Sequence, residues 1–238
     1  MTAFSARTRP GPPTNGRYQV GDTVPDSNSV IWSCVKGGFA VEPGAMVADV
    51  AVFAPNVGAM STAQLTAGTC PIATVTAVEE LMGNTHKTTL TLAAVPQTVV
   101  NGTEYQGTKI YDFPEGHLVV TGVVFSLAQT TTSTIASTLN SGVTGAMALG
   151  SVTASNVSLT STMANFVAST AFTSSTTINV AGTAVTGKNT ALVVLDGTST
   201  PVDLYLNTAY ATTTDVDADA TQTISGTVTI LWQIVADV

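Results

Sequence analysis

The chain has 238 residues, of which 9% are charged and 44% hydrophobic, and its formal net charge is −8 at pH 7. Disordered chains combine low hydrophobicity with high charge, so the opposite balance predicts a folded protein. Nucleic-acid binding needs clustered cations that displace phosphate counterions, and the 7 Lys and Arg residues of this acidic chain argue against such a partner. Abundant Thr and Val with Gly and Pro punctuation favour strands over helices.

The first predicted region is residues 1–16, a proline-rich stretch that contains Arg7 and Arg9. Its three prolines predict a semi-extended arm. The stretch has no apolar h-region of a secretory signal, so we expect synthesis in a cytoplasm. The two arginines are candidate contacts for an acidic protein surface, and a solvated arm is the alternative interpretation.

Residues 17–44 are predicted to form a small β module, with two short strands around a turn at 26–28. Five residues would form its miniature core: Val20, Val24, Val30, Trp32 and Cys34. A unit this small buries little surface, so we expect it to lean on a neighbour. Cys34 and Cys70 have no CxxC partner, which favours free buried thiols and leaves a disulfide as the alternative.

Residues 45–85 are predicted to be a connecting segment that contains strands. The run AMVADVAVFA alternates like a strand, and the run from Glu79 to Met82 predicts one helical turn. Adjacent residues point in different directions on a helix or a strand. Glu79 and Glu80 are therefore interpreted as a solvated polar turn and not as a general acid and base.

Residues 86–238 are predicted to form an antiparallel β-sandwich or jelly-roll-like domain, because strand-like runs are separated by Gly, Asn or Asp at about 8–12-residue spacing. Residues 114–116 form a predicted turn, and residues 156–170 are predicted to hold a short helix or a covering loop. In the last strand, Ile224, Val228 and Trp232 share one predicted face, and Thr227 and Thr229 share the other.

Residues 116–187 form a stretch of 72 residues without Asp, Glu, Lys or Arg. Its apolar runs are far shorter than the ~20 residues that a membrane crossing requires, so no membrane partner is predicted. Soluble surfaces normally mix both charge signs. We therefore expect other subunits to cover the Thr- and Ser-lined faces of this stretch, while acidic loops face solvent.

Catalytic and cofactor motifs are missing from the sequence. The two histidines are His86 and His117, no GxSxG elbow is present, and His117 is interpreted as a strand-entry residue. Residues 182–188 match GxxxxGK, but Asn189 replaces the Ser or Thr that holds magnesium, and a strand-like run follows instead of a helix. We predict neither an enzyme nor a bound cofactor.

Asp215, Asp217 and Asp219 form a DxDxD run with the spacing of the first calcium-loop ligands. Ala220 then occupies the glycine position, and Gly226 stands where the bidentate Glu belongs. No metal site is predicted, since an exposed acidic hairpin loop fits the run better. Calcium that bridges subunits is the alternative.

Residues 18–38 read YQVGDTVPDSNSVIWSCVKGG and resemble small Y-x-x-GD-x-V modules of phage fibres and head proteins. Those modules are distantly similar to carbohydrate-binding modules of chitinases. The resemblance makes Tyr18 and Trp32 the candidate aromatic contacts, either for a neighbouring subunit or for a glycan.

Residues 86–238 resemble a group of tailed-phage virion structural proteins. The resemblance is carried by five features: KIYDFPEGHLVV, MALGSVTASNVSLTSTMANFV, LDGTSTPVDLYLN, DVDADATQTISGTVTILW and Asp237. It implies a non-enzymatic β-rich subunit of the virion, most often a capsid decoration (cement) or head-fibre protein. The implied partners are the major capsid protein and further copies of the chain, as a homotrimer on the capsid surface.

Two other functions stay open at this point. One is a head-fibre, tail-fibre or adhesin module that binds host-surface glycan through Trp32, and the other is a tail structural subunit. A virion-borne glycan hydrolase needs two convergent carboxylates, and the uncharged stretch 116–187 contributes none.

Overall fold

The structure is a computed structural model that describes residues 17–19, 23–25, 31–36, 38–39, 52–55, 67–82, 85–132, 142–177, 179–189, 191–211 and 218–236. These residues form fifteen strands and one short 3-10 turn, which confirms the predicted all-β class. The chain divides into two compact units, Met1–Met60 and Ser61–Val238. No helix in the described ranges has the length and apolarity of a membrane span.

The first unit contains two small antiparallel sheets. Its strands are β1 (Arg17–Tyr18), β2 (Thr23–Pro25), β3 (Ile31–Lys36), β4 (Gly38–Phe39) and β5 (Val52–Pro55). β1 pairs with β4, and the other three follow the order β2-β3-β5. Val24 and Cys34 are buried as predicted and Trp32 is half-buried, whereas Val20 and Val30 lie outside the described residues.

The second unit is an antiparallel β-sandwich. Its strands are β6 (Val75–Met82), β7 (Thr85–Val99), β8 (Tyr105–Asp112), β9 (Gly116–Thr131), β10 (Thr144–Gly150), β11 (Val167–Thr173), β12 (Val185–Lys188), β13 (Val193–Gly197), β14 (Asp203–Tyr210) and β15 (Ala220–Ala236). One sheet has the order β11-β10-β14-β8. The other has the order β12-β9-β15-β7-β6, and β13 also pairs with β9.

The core of the sandwich lies between these two sheets, because each presents one apolar face. On β15 the residues Ile224, Val228, Ile230 and Trp232 are all fully buried, as their alternation predicts. They pack in one cluster with residues of the four-stranded sheet, including Leu204. Apolar burial at roughly 25 cal/mol per Å² is the main stabilising term for such a core.

A bulge bends the long strands β7 and β15. Their register shifts between Ile224 and Gly226, and Ala94 on β7 adopts a left-handed φ of 57° there. The amide N–H of Ala94 donates to Ser225 Oγ at 2.9 Å. Gly226 has φ 139°, and a Cβ at this position would overlap the carbonyl oxygen of Ser126 on β9. Glycine is therefore required at 226.

Residues 151–166 cover the outer face of the four-stranded sheet, and they include the 3-10 turn Ser161–Met163. The side chain of Asn207 on β14 fastens this covering segment. Its amide donates to the carbonyls of Val152 at 2.9 Å and Met163 at 2.8 Å, and its oxygen accepts from the Ala154 N–H at 2.8 Å. The covering loop predicted for residues 156–170 is thus present, followed by β11.

The stretch 45–85 contributes a strand to each unit: β5 pairs with β3, and β6 pairs with β7. The predicted helical turn from Glu79 to Met82 is wrong, since these residues belong to β6. Eight consecutive cross-strand pairs with β7 override the local preference for a helix.

Candidate functional site

The outer face of the six-stranded sheet carries a row of hydroxyl side chains that crosses five strands. In cross-strand order, the row consists of Thr76, Thr91, Thr227, Ser126 and Thr186. All five are exposed, and adjacent strands lie about 4.8 Å apart. We call this set the hydroxyl row. It arises because one hydroxyl residue from each strand falls in the same register.

The row next to the hydroxyl row contains apolar, hydroxyl and charged side chains. Val78, Thr89, Thr229, Val124 and Lys188 lie side by side in the same strand order, and Val78 and Val124 are exposed. Farther along the sheet, the Lys87 ammonium contacts the Glu80 carboxylate at 3.2 Å. An exposed pair of this kind contributes little to stability, but it balances the charge locally.

This face therefore offers hydroxyl groups and small apolar side chains with little net charge. Threonine hydroxyls both donate and accept hydrogen bonds, so the row can pair with polar groups of another protein. Covering it costs less desolvation than covering a charged surface. In chemical terms the face suits protein–protein contact, and the uncharged stretch 116–187 supplies β9 and all of β12 except Lys188.

A groove of about 530 Å³ lies at the end of β8 and β14. Asp112 and Asp203 are cross-strand partners there. The Lys109 ammonium lies 2.9 Å from Asp112 Oδ1 and 3.6 Å from Asp203 Oδ1. The Tyr205 hydroxyl donates to Asp203 Oδ2 at 3.1 Å.

Electrostatics in the groove follow from these contacts. The hydrogen bond to Asp112 is the main reason that the pKa of Lys109 is raised. Partial burial, and then the hydrogen bond with Asp112, raise the pKa of Asp203. Asp112 and Asp203 face each other across the two strands and share the Lys109 ammonium, so the cluster has the geometry of a clamp between strands.

A buried polar network lies behind the groove, between the two sheets. The Glu79 carboxylate contacts His86 Nδ1, and it accepts hydrogen bonds from Thr88 Oγ1 at 2.8 Å and the Tyr111 hydroxyl at 3.1 Å. The Gly68 N–H, which lines the groove, donates to the Tyr111 hydroxyl at 3.0 Å. We call Glu79, His86, Thr88 and Tyr111 the buried polar network.

Burial is the largest cause that raises the pKa of Tyr111, and the nearby Glu79 carboxylate raises it further. Tyr111 therefore stays a neutral hydrogen-bond donor at physiological pH. Each polar group of the network has a partner, which is the arrangement expected of a structural cluster in a core.

The predicted contact residues fall in different parts of the chain. Arg7 and Arg9 lie outside the described residues. Tyr18 is in β1 and Trp32 in β3, where Trp32 pairs with Val24 and Pro55. The two aromatic residues thus lie on strands of two different small sheets.

The candidate metal run is only partly described. Asp215 and Asp217 lie outside the described residues, and Asp219 Oδ1 accepts the Asn101 N–H at 2.8 Å. In the described part of the chain, no group of three or more His, Cys, Asp and Glu residues has the arrangement of a metal site.

Other sequence motifs have structural explanations. His117 lies at the start of β9, with Nδ1 3.6 Å from Asp196 Oδ1, in agreement with its interpretation as a strand-entry residue. The GxxxxGK match contains the strand β12 (Val185–Lys188), and a Cβ at Gly187 would overlap the Phe125 ring. Gly187 therefore allows β12 to pack closely against the Phe125 ring.

Both cysteines are free thiols, as predicted. Cys34 is buried, whereas Cys70 is only half-buried. Partial burial, and then the charge of Asp112, raise the pKa of the Cys70 thiol and so reduce its reactivity.

Two features were missed at the level of sequence. The Asp112–Asp203 pair joins residues 91 positions apart, and only the register of β8 against β14 brings them together. The hydroxyl row had a partial signal, since Thr89 and Thr91 alternate on β7 and Thr227 and Thr229 alternate on β15. No protein-family model matches this chain, and neither a curated protein nor a solved structure matches it.

Proposed function

We propose that this chain is a non-enzymatic structural subunit of a tailed-phage virion, and specifically a capsid decoration protein. It is made in the host cytoplasm and binds the major capsid protein and further copies of itself, as a trimer on the capsid surface. The resemblance of residues 86–238 to virion structural proteins motivates the proposal. The observation that carries it is the hydroxyl row, an exposed contact face across five strands.

The mechanism follows from linkage. A protein that binds the assembled shell, and does not bind dissociated capsid subunits, stabilises the shell by mass action. A rigid sheet is suited to this task, because little conformational entropy is lost when it binds. The sandwich keeps the hydroxyl row in place through a continuous hydrogen-bonded sheet and a buried core.

In this proposal, the arm of residues 1–16 makes a second contact with the capsid. Arg7 and Arg9 are two of only 7 cationic residues in a chain with net charge −8. Guanidinium groups bind carboxylates through paired hydrogen bonds, so the arm suits an acidic surface on the capsid. A chain lacking residues 1–16 should fold and yet bind capsids poorly. Undiminished occupancy would refute the anchoring role.

The face is tested with capsids that lack this protein. The double variant Thr91→Lys/Ser126→Lys places two charges in the hydroxyl row on either side of Thr227, and the affinity for these capsids should fall at least about tenfold, or roughly 1.4 kcal/mol. The matched control is Thr160→Lys/Thr162→Lys, which places the same charges on exposed positions of the covering segment. Equal affinity for both variants would contradict the assignment of this face.

A further inference from the structure

β6 is an edge strand of the six-stranded sheet. Among the described residues its single strand partner is β7, with which it forms eight consecutive pairs and no register shift. An edge strand presents unpaired N–H and C=O groups that can pair with another chain. Natural proteins usually protect such edges with a bulge, a proline, a short strand, charged side chains (lysine above all) or a charged side chain that points inward.

The other described edges carry these protections. β11 and β8 both contain a register shift, and β8 also contains Lys109. β12 and β13 are only four and five residues long, and β12 ends in Lys188. β6 has eight residues, regular register and neither proline nor lysine. It is the longest edge of regular register in the described part of the sandwich, and its only charged residues are Glu79 and Glu80.

The charges of β6 are compensated within its own sheet. Glu79 turns inward, where its carboxylate contacts His86 and accepts hydrogen bonds from Thr88 and Tyr111. Glu80 contacts Lys87 on β7. Three large apolar side chains of β6 remain exposed, Val78 at 62%, Leu81 at 47% and Met82 at 52%, beside the exposed Thr76, Ala77 and Glu80.

We propose that β6 pairs in antiparallel fashion with β6 of a second copy, so that one sheet continues through both molecules. A second copy fits because a chain with net charge −8 repels itself elsewhere, whereas this edge has its carboxylates compensated and its apolar side chains uncovered. The edge can complement itself, because in an antiparallel two-fold contact the unpaired N–H groups of one strand meet the unpaired C=O groups of the other.

Strand overlap and charge together restrict the register, because an axis near the middle of the eight residues of β6 pairs the most residues. In an antiparallel pair, directly opposed residues lie on the same face of the sheet, and a two-fold axis perpendicular to the sheet keeps every residue on its face. The axis must therefore pass midway between a residue and the same residue of the second copy. An axis at Glu79 or Glu80 would place like carboxylates directly opposite each other, which is destabilising. An axis at Val78 places Val78 against its own copy and Glu80 opposite Thr76. The contact is a two-fold one, so in the proposed virion it links one trimer to the next.

Sedimentation of the full chain tests the contact without any capsid, so its failure is distinguishable from failure of the proposed function. The wild-type mass should rise with concentration to at least twice that of Val78→Lys. The control Val194→Lys, at an equally exposed valine of β13 (61%), should behave as the wild type. Equal masses for wild type and Val78→Lys, or equal dissociation by both lysine variants, would overturn the proposal.

Cross-linking tests the register even if Val78→Lys does not fold. Cα atoms of directly opposed antiparallel residues lie about 4.5–5.5 Å apart, within disulfide reach. Val78→Cys should therefore form a covalent dimer on mild oxidation, well above the background of the wild type. Met82→Cys should not, since its partner in this register is Thr74. Equal cross-linking of the two variants, or none in Val78→Cys, would reject the register.

Discussion

His86 and Trp232 stack face to face inside the sandwich, with ring centroids 4.0 Å apart and 14° between the ring planes. They are cross-strand partners on β7 and β15, and Trp232 Nε1 donates to Thr88 Oγ1 at 2.7 Å. Through Thr88 the indole joins the buried polar network that also holds Glu79. The central strand β15 and the edge strand β6 are thereby connected by side chains, in addition to the backbone hydrogen bonds that both make with β7.

The first prediction concerns the two neighbouring glutamates of β6. Glu79→Ala removes the acceptor of the Thr88 and Tyr111 hydroxyls in the core and should lower the free energy of unfolding by about 1–3 kcal/mol. Glu80→Ala breaks only an exposed ion pair and should cost less than about 1 kcal/mol. Urea denaturation measures both variants, and an equal loss would show that the network does not stabilise the fold.

The second prediction concerns the bulge. Gly226→Ala puts a Cβ against the Ser126 carbonyl at a φ that side chains rarely adopt, so it should cost about 2 kcal/mol or more. Gly102→Ala is the control, because φ there is also positive but no atom lies within 4 Å of the added Cβ. Gly102→Ala should lower the free energy of unfolding by about 1 kcal/mol. Thermal melts compare the pair, and the account of the bulge fails if Gly102→Ala is the worse variant.

A third prediction concerns the covering segment. Asn207→Ala removes three hydrogen bonds to residues 151–166, so amide exchange in that segment should become faster while the strands stay protected. Asn156→Ala removes one bond from the Ser158 N–H and one weak 4.0 Å bond to Met163 Sδ, both within the segment, and should change exchange far less. Mass-spectrometric hydrogen exchange gives the comparison, and unaltered protection in Asn207→Ala would argue against the fastening role.

The fourth prediction concerns alkaline pH. The folded protein holds the pKa of Tyr111 above its ordinary value, mainly through burial, whereas the unfolded chain loses this proton near pH 10. The unfolded state therefore binds fewer protons above about pH 10, and stability falls as pH rises, by at most about 1.4 kcal/mol per pH unit for one group. The Tyr111→Phe variant should show a flatter decline.

The raised pKa values of Lys109 and Tyr205 act in the same direction, and both groups are present in the wild type and in Tyr111→Phe. Their effect therefore cancels when the two proteins are compared. Denaturation between pH 8 and 11 is the measurement. Parallel curves would mean that Tyr111 does not contribute to the alkaline loss.

Regular alternation made much of the fold predictable. The buried face of β15, from Ile224 to Ile234, follows from period two, and the strand after Lys188, which is β13, follows from the apolar run there. Local pattern failed at Glu79 to Met82, because cross-strand pairing with β7, three to nine residues further on, decides the conformation there. The hydroxyl row and the Asp112–Asp203 pair depend on register between strands far apart in sequence, which alternation within one strand does not specify.

The central claim is that the protein decorates a capsid, and a density map of intact virions reconstructed without imposed symmetry tests it most directly. The account predicts many copies distributed over the shell, with the outer face of the six-stranded sheet, around Thr91 and Thr227, in contact with other subunits. Copies confined to a single vertex or to the tail would contradict it and favour a fibre or tail subunit. A shell on which this face points to solvent would contradict the assigned contact.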